Sequence, residues 1–138
     1  MSPPKSPLAR RFWRVAYQRL EESEVLNKAG YYIGSVYLAG YSVECVLKAL
    51  ILNSTPTKDQ EDVEAEFRGQ RAHCFEWLRL RYYRTGAPQL PVDVSASLTF
   101  VSSWETSIRY KAGMGVPDDS ARFLTDVQKI VEWADNRI

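Results

Sequence analysis

The alternation of apolar and polar positions along the chain has the period of a helix almost everywhere. Ile33, Tyr37, Gly40, Glu44, Leu47 and Ile51 recur at intervals of four, three, four, three and four, which is one face of a helix running from Tyr31 to Asn53. Polar residues interrupt that stretch only at Ser35, Ser42, Glu44 and Lys48, so it is expected at the centre of the fold. Before it, Leu8 to about Lys28 is rich in good helix formers, with Phe12, Trp13, Ala16, Tyr17, Leu20 and Leu26 for apolar contact, and Ala29-Gly30 ends it. Pro3, Pro4 and Pro7 should keep residues 1–7 out of a helix, predicting a flexible lead-in followed by a single helical domain over 8–138. A third helix is expected from Ala72 to about Arg84, closed by Gly86, Pro88 and Pro91. A fourth is expected from Val94 to Tyr110, of weak propensity because serine and β-branched residues crowd it. A fifth follows Pro117-Asp-Asp-Ser, with Leu124, Val127, Val131, Ala134 and Ile138 on one face. Periodicity leaves Thr57 to Glu66 open between a short helix and a loop. With no strand-like alternation and no internal repeat, the fold class is all-α, an up-and-down bundle of about five helices.

Composition narrows the function. The chain has 138 residues, 45% of them hydrophobic, enough for one buried core. Its 18 basic and 17 acidic residues nearly cancel, so any attraction for nucleic acid or an anionic membrane must be local. Local patches exist: Lys5, Arg10, Arg11, Arg14 and Arg19 precede the first acid, and Arg68, Arg71, His73, Arg79, Arg81 and Arg84 surround Glu76 alone. Cys45 and Cys74 lack CxxC spacing, which points to a reducing, cytoplasmic setting, and one histidine argues against a Cys/His zinc site; no metal and no cofactor are expected. No membrane association is expected, because the apolar run near residues 43–51 is too short and interrupted to span a bilayer.

Glu44 is the chemical anomaly. A carboxylate on an apolar stripe costs several kcal/mol, on the order of the effective penalty for a buried ion, unless a cation or several donors meet it. Lys48, one turn on, or an arginine of a neighbouring helix would suffice and would simply fix helix register. Alternatively Glu44 belongs to a polar cluster used in binding or catalysis.

Taken together, Tyr37-Leu-Ala-Gly-Tyr-Ser-Val-Glu-Cys-Val-Leu-Lys-Ala49, Ala72-His-Cys-Phe-Glu-Trp-Leu78, Ser107-Ile-Arg-Tyr110 and the long last helix resemble the HEPN domain family. The resemblance implies a helical bundle that dimerises, often encoded beside a minimal nucleotidyltransferase in prokaryotic toxin-antitoxin or defence pairs. Active members cleave RNA without a metal through Arg-x(4–6)-His, two copies of which meet across the dimer: histidine moves a proton from the ribose 2′-hydroxyl and arginine stabilises the charged transition state. In this chain the positions that would hold the histidine after Arg109 are Met114, Gly115 and Val116, so the late motif is absent. The literal match is earlier, at Arg68-Gly-Gln-Arg-Ala-His73. The resemblance also makes Arg109 the first choice of partner for Glu44, with Tyr110 or Tyr41 donating to a cluster that includes Lys48.

The leading expectation is therefore a homodimer that binds RNA, a nucleotide or a nucleotidyltransferase-type protein without cleaving. The alternatives are a metal-independent endoribonuclease, with Arg68 and His73 catalytic and Arg71, Arg79, Arg81 and Arg84 on substrate phosphates, and a structural interaction module presenting Tyr82, Tyr83 or Trp133.

Overall fold

The computed structural model describes residues 4–113 and 115–138. It contains α1 (Pro7–Lys28), α2 (Tyr32–Asn53), α3 (Gln60–Glu66), α4 (Phe75–Tyr83), α5 (Val92–Val101) and α6 (Pro117–Asp135), with 3-10 turns at Thr57–Asp59, Gln70–His73 and Thr106–Tyr110. No strand occurs among the described residues, and the all-α bundle stands with six helices rather than five.

α2 is the hub. It packs against α1, α6, α4 and the Thr106–Tyr110 turn, while α5 packs on α6. Although α2 has the length and apolar character of a membrane span, most of it is buried inside the bundle, as suits a core helix. The serines that interrupt its apolar run are used in packing. Ser42 Oγ donates to the Ala16 carbonyl and Ser35 Oγ to the Ser23 carbonyl, each at 2.7 Å, so α1 and α2 approach closely over small buried residues.

Residues 4–6 of the expected lead-in are anchored. Pro4 is buried and its carbonyl accepts from Arg10 Nε at 3.1 Å; Ser6 caps α1 by accepting from the Ala9 N–H, and Pro7 occupies the first turn. Met1, Ser2 and Pro3 lie outside the described residues. The acidic segment left open by periodicity folds as a 3-10 turn and α3. Gln60 organises it: its Nε2 donates to the Leu52 and Thr55 carbonyls, closing the end of α2, and Val63 and Phe67 enter the core.

Two expected helices are shorter than their patterns suggested. The third is broken at Cys74, whose extended backbone (φ −88°, ψ 117°) lets Ala72 and Phe75 both reach the core with His73 between them. The fourth stops at Val101, where Ser102 Oγ bonds back to the Leu98 carbonyl at 2.6 Å, the local competition that makes serine a poor helix former. The break allows Trp104 to turn inward. It is only 4% exposed and stacks on Phe75 with ring centroids 5.4 Å apart.

Candidate functional site

The Glu44 carboxylate is 4% exposed and has two partners. Lys48 Nζ, one turn on and equally buried, donates to Oε2 at 2.8 Å; His73 Nδ1 lies 2.6 Å from Oε1. Lys48 comes from the same helix, which follows from i,i+4 spacing. His73 comes from the 3-10 turn that follows Gly69, whose φ of 98° is open to glycine at little cost. Aromatic rings complete the enclosure. The Lys48 ammonium sits 5.8 Å from the Phe12 ring centre and 5.4 Å from that of Phe67, two rings in edge contact, so its charge meets π faces where it does not meet Glu44. Tyr41 packs edge-on against the His73 ring.

The other side of His73 is open. Its side chain is 37% exposed and lines a groove of ≈ 390 Å³ between Gln70, His73 and Cys74 on one wall and Ser102 to Ser107 on the other. None of the nine lining residues is an arginine or lysine, and one, Glu105, is an acid. A histidine with one ring nitrogen on a buried carboxylate and the other free is oriented for proton exchange or for hydrogen bonding, because the carboxylate selects its tautomer.

Several residues singled out by sequence lie elsewhere. Arg109 does not pair with Glu44: it is exposed on the Thr106–Tyr110 turn with its guanidinium 4.8 Å from the Tyr110 ring centre. Two tyrosines separate it from the carboxylate, since Tyr37 Oη contacts Tyr41 Oη at 3.4 Å and Tyr41 reaches His73. The cause is the shortened fourth helix, which puts Trp104 over α2 and carries Arg109 to the surface. Tyr110 is exposed and outside the cluster. Arg68 is exposed, and among the described residues its side chain forms no hydrogen bond or ion pair, with His73 or otherwise.

The phosphate-contact candidates also divide. Arg81 makes a two-pronged pair with Glu66, both bonds 3.1 Å, tying α4 to α3. Arg79 bonds Glu76, Ser95 and Thr99, tying α4 to α5. Arg71 lies over the Trp77 ring at 4.9 Å, and Arg84 is exposed. Arg79 and Arg81 are thus structural. Tyr82 is 5% exposed, and Tyr83 and Trp133 are half-buried; the exposed aromatics are Tyr31, Phe100 and Tyr110.

Trp104, Phe12 and Phe67 escaped the sequence reading as members of the site. A signal for Trp104 existed: a glycine on a buried stripe, Gly40, implies close approach by something bulky. Burial, followed by the Tyr37 hydrogen bond, pushes the Tyr41 phenol up to about 12, and burial does the same to the Cys45 thiol, also to about 12. The neighbouring Tyr110 and Tyr37 hydroxyls raise Arg109 above its ordinary value.

Neither a curated protein nor a solved structure matches the chain. The model of the HEPN domain matches residues 9–137, from the first turns of α1 to one residue short of the last, and the chain therefore belongs to the HEPN domain family.

Proposed function

We propose that the protein is a HEPN homodimer of a prokaryotic toxin-antitoxin or defence-type system, cytoplasmic, that binds RNA or a nucleotide without cleaving it. The arrangement of charge around the His73 groove carries this reading. Its walls lack a cation, whereas Arg71 and Arg109, both exposed, lie two residues from lining residues His73 and Ser107. Phosphates bound at such rims would be held away from the imidazole, and phosphoryl transfer needs the proton-moving group and the charge-stabilising cation at one phosphorus. The dimer face we favour is the second apolar groove, where Tyr32, Ile33, Val36, Ile108 and Val116 lie beside exposed Tyr31 and Tyr110. Lys111 and Asp119, both exposed, line the same groove, so a two-fold arrangement of two copies is self-complementary in charge.

The test is purified protein, sized by light scattering and incubated with labelled total RNA in EDTA beside His73→Ala. A dimer that retards RNA and leaves it intact supports the reading. Cleavage that His73→Ala abolishes would replace it with the second reading, an endoribonuclease using Arg68 and His73, which the Glu44-His73 contact favours. A dimer that ignores RNA but captures a nucleotidyltransferase-type protein would point to partner binding alone.

A further inference from the structure

We propose that the last two turns of α1 are a second contact face between copies of this chain, on which α1 packs antiparallel against α1 of another copy about a two-fold axis at Val25. This rests on the homodimer reading only in leaving the groove beside Tyr31 and Tyr110 as the first face, and it adds how dimers join.

An exposed stripe of α1 sets both signs of charge around an apolar centre. Glu21, Val25 and Lys28, four and three residues apart, share one side of the helix, and all three are exposed, Val25 by 67%. Among the described residues neither the Glu21 carboxylate nor the Lys28 ammonium has a hydrogen-bond or ion-pair partner, whereas Glu22 is held by Arg19 at 2.6 Å and Glu24 by Gln128 at 3.2 Å. Beside the stripe, Glu21, Glu22, Val25, Leu26 and Leu38 line a groove of ≈ 490 Å³ between α1 and α2. Gly34, one turn before Leu38, adds no side chain to close it, although a Cβ there would lie only 3.4 Å from Leu26 Cδ1. An exposed valine at the lip of an open apolar groove is surface that a partner would cover.

The occupant is a second copy because the stripe is complementary to itself. At about 1.5 Å of rise per residue, Glu21 lies about 6 Å before Val25 along the helix axis and Lys28 about 4.5 Å after it. Reversing one helix about Val25 therefore brings each Glu21 level with the other copy's Lys28, twice over, while each valine enters the other copy's groove. A partner helix of one charge sign would leave Glu21 or Lys28 facing its like. The stripe is short beside the about 1,200–2,000 Å² that stable contacts bury, so one such contact is weak. A dimer joined through its other groove presents the stripe twice, and two dimers that close on one another form two of these contacts together. The expected assembly is a dimer that pairs into a tetramer as concentration rises.

The test is sedimentation velocity of the full chain over a rising concentration series. Val25→Asp, at an exposed site, should keep the dimer and raise the concentration of half-assembly of the tetramer by at least about tenfold. Glu21→Lys and Lys28→Glu should each weaken the tetramer as well, because each sets like charges face to face. A mixture of these two single variants should restore it, because every lysine then meets a glutamate across the contact. A tetramer indifferent to all three substitutions, or a native chain that never passes beyond a dimer, would overturn the α1 face and leave the homodimer standing. Loss of the dimer itself in Val25→Asp would keep α1 as a face between copies and overturn the other groove as the dimer face. A monomer at every concentration would overturn both.

Discussion

Trp104 fills the space that a side chain at position 40 would need: a Cβ built on Gly40 would lie 2.0 Å from Trp104 Cε2 and 2.1 Å from Nε1. Helix α2 and the turn after α5 therefore meet through a glycine and an indole, and Trp104 also lines the His73 groove. Gly40→Ala is expected to destabilise by about 1–3 kcal/mol or more, the usual result of overpacking, despite the better helix propensity of alanine. Urea denaturation of Gly40→Ala, Trp104→Ala and the double variant would check it. The two losses should not add, since once the indole is gone the methyl has room.

Lys48 is the principal counter-charge of Glu44. Lys48→Met leaves a buried carboxylate with only a half-exposed histidine, and a loss of about 3–5 kcal/mol is expected, as for other severed buried pairs. Glu44→Leu combined with Lys48→Met should recover much of that loss, because it removes both charges and keeps the volume apolar. A single-variant loss below about 1 kcal/mol would mean that the pair is solvated in solution.

Alkaline pH should weaken the fold through two weak acids, Cys45 and Tyr41. Cys45 and Tyr41 are each raised to about 12 by burial, so between their ordinary values and that pH the folded chain holds protons that the unfolded chain releases. Their stabilisation is complete below about pH 9, the ordinary thiol value, and is lost as pH climbs to about 12. Melting temperature should fall across that window, and Cys45→Ala should flatten the fall. An unchanged slope in the variant would remove Cys45 from the account.

The arginines of the 68–84 segment should separate by role. Arg81→Met breaks the pair to Glu66 and Arg79→Met the link to α5, and both should lower the denaturation midpoint without specifically weakening RNA binding. Arg71→Ala and Arg109→Ala, at exposed positions, should change stability by no more than about 0.5 kcal/mol and weaken RNA retention.

The sequence made the helices legible where their apolar face was continuous. Helices α1, α2 and α6 begin and end within a residue or a few of where caps and periodicity put them, because proline, serine and glycine signals coincide with the apolar pattern there. The fourth helix was misjudged in length, since Ser102 continues a helical spacing while its hydroxyl bonds back to the Leu98 carbonyl, and the chain turns there so that Trp104 is buried. Glu44 announced by its position that it needed a partner, and Lys48 was readable from i,i+4 spacing. His73 was not readable as its partner: 29 residues separate them, and only the tertiary path through α3 and the Gly69 turn brings them together.

Arg79 and Arg81 are spoken for by Glu76 and Glu66, so the cationic surface is smaller than the run of arginines from 68 to 84 suggests. Salt sensitivity would register this directly. Each phosphate met by a free cation releases counterions and steepens the logarithmic dependence of affinity on salt by about 0.7 for a single strand. If Arg71 and Arg109 are the contacts, raising the salt should loosen RNA only gently, and most of the affinity should survive ionic strengths that strip ligands from proteins whose arginines all face solvent.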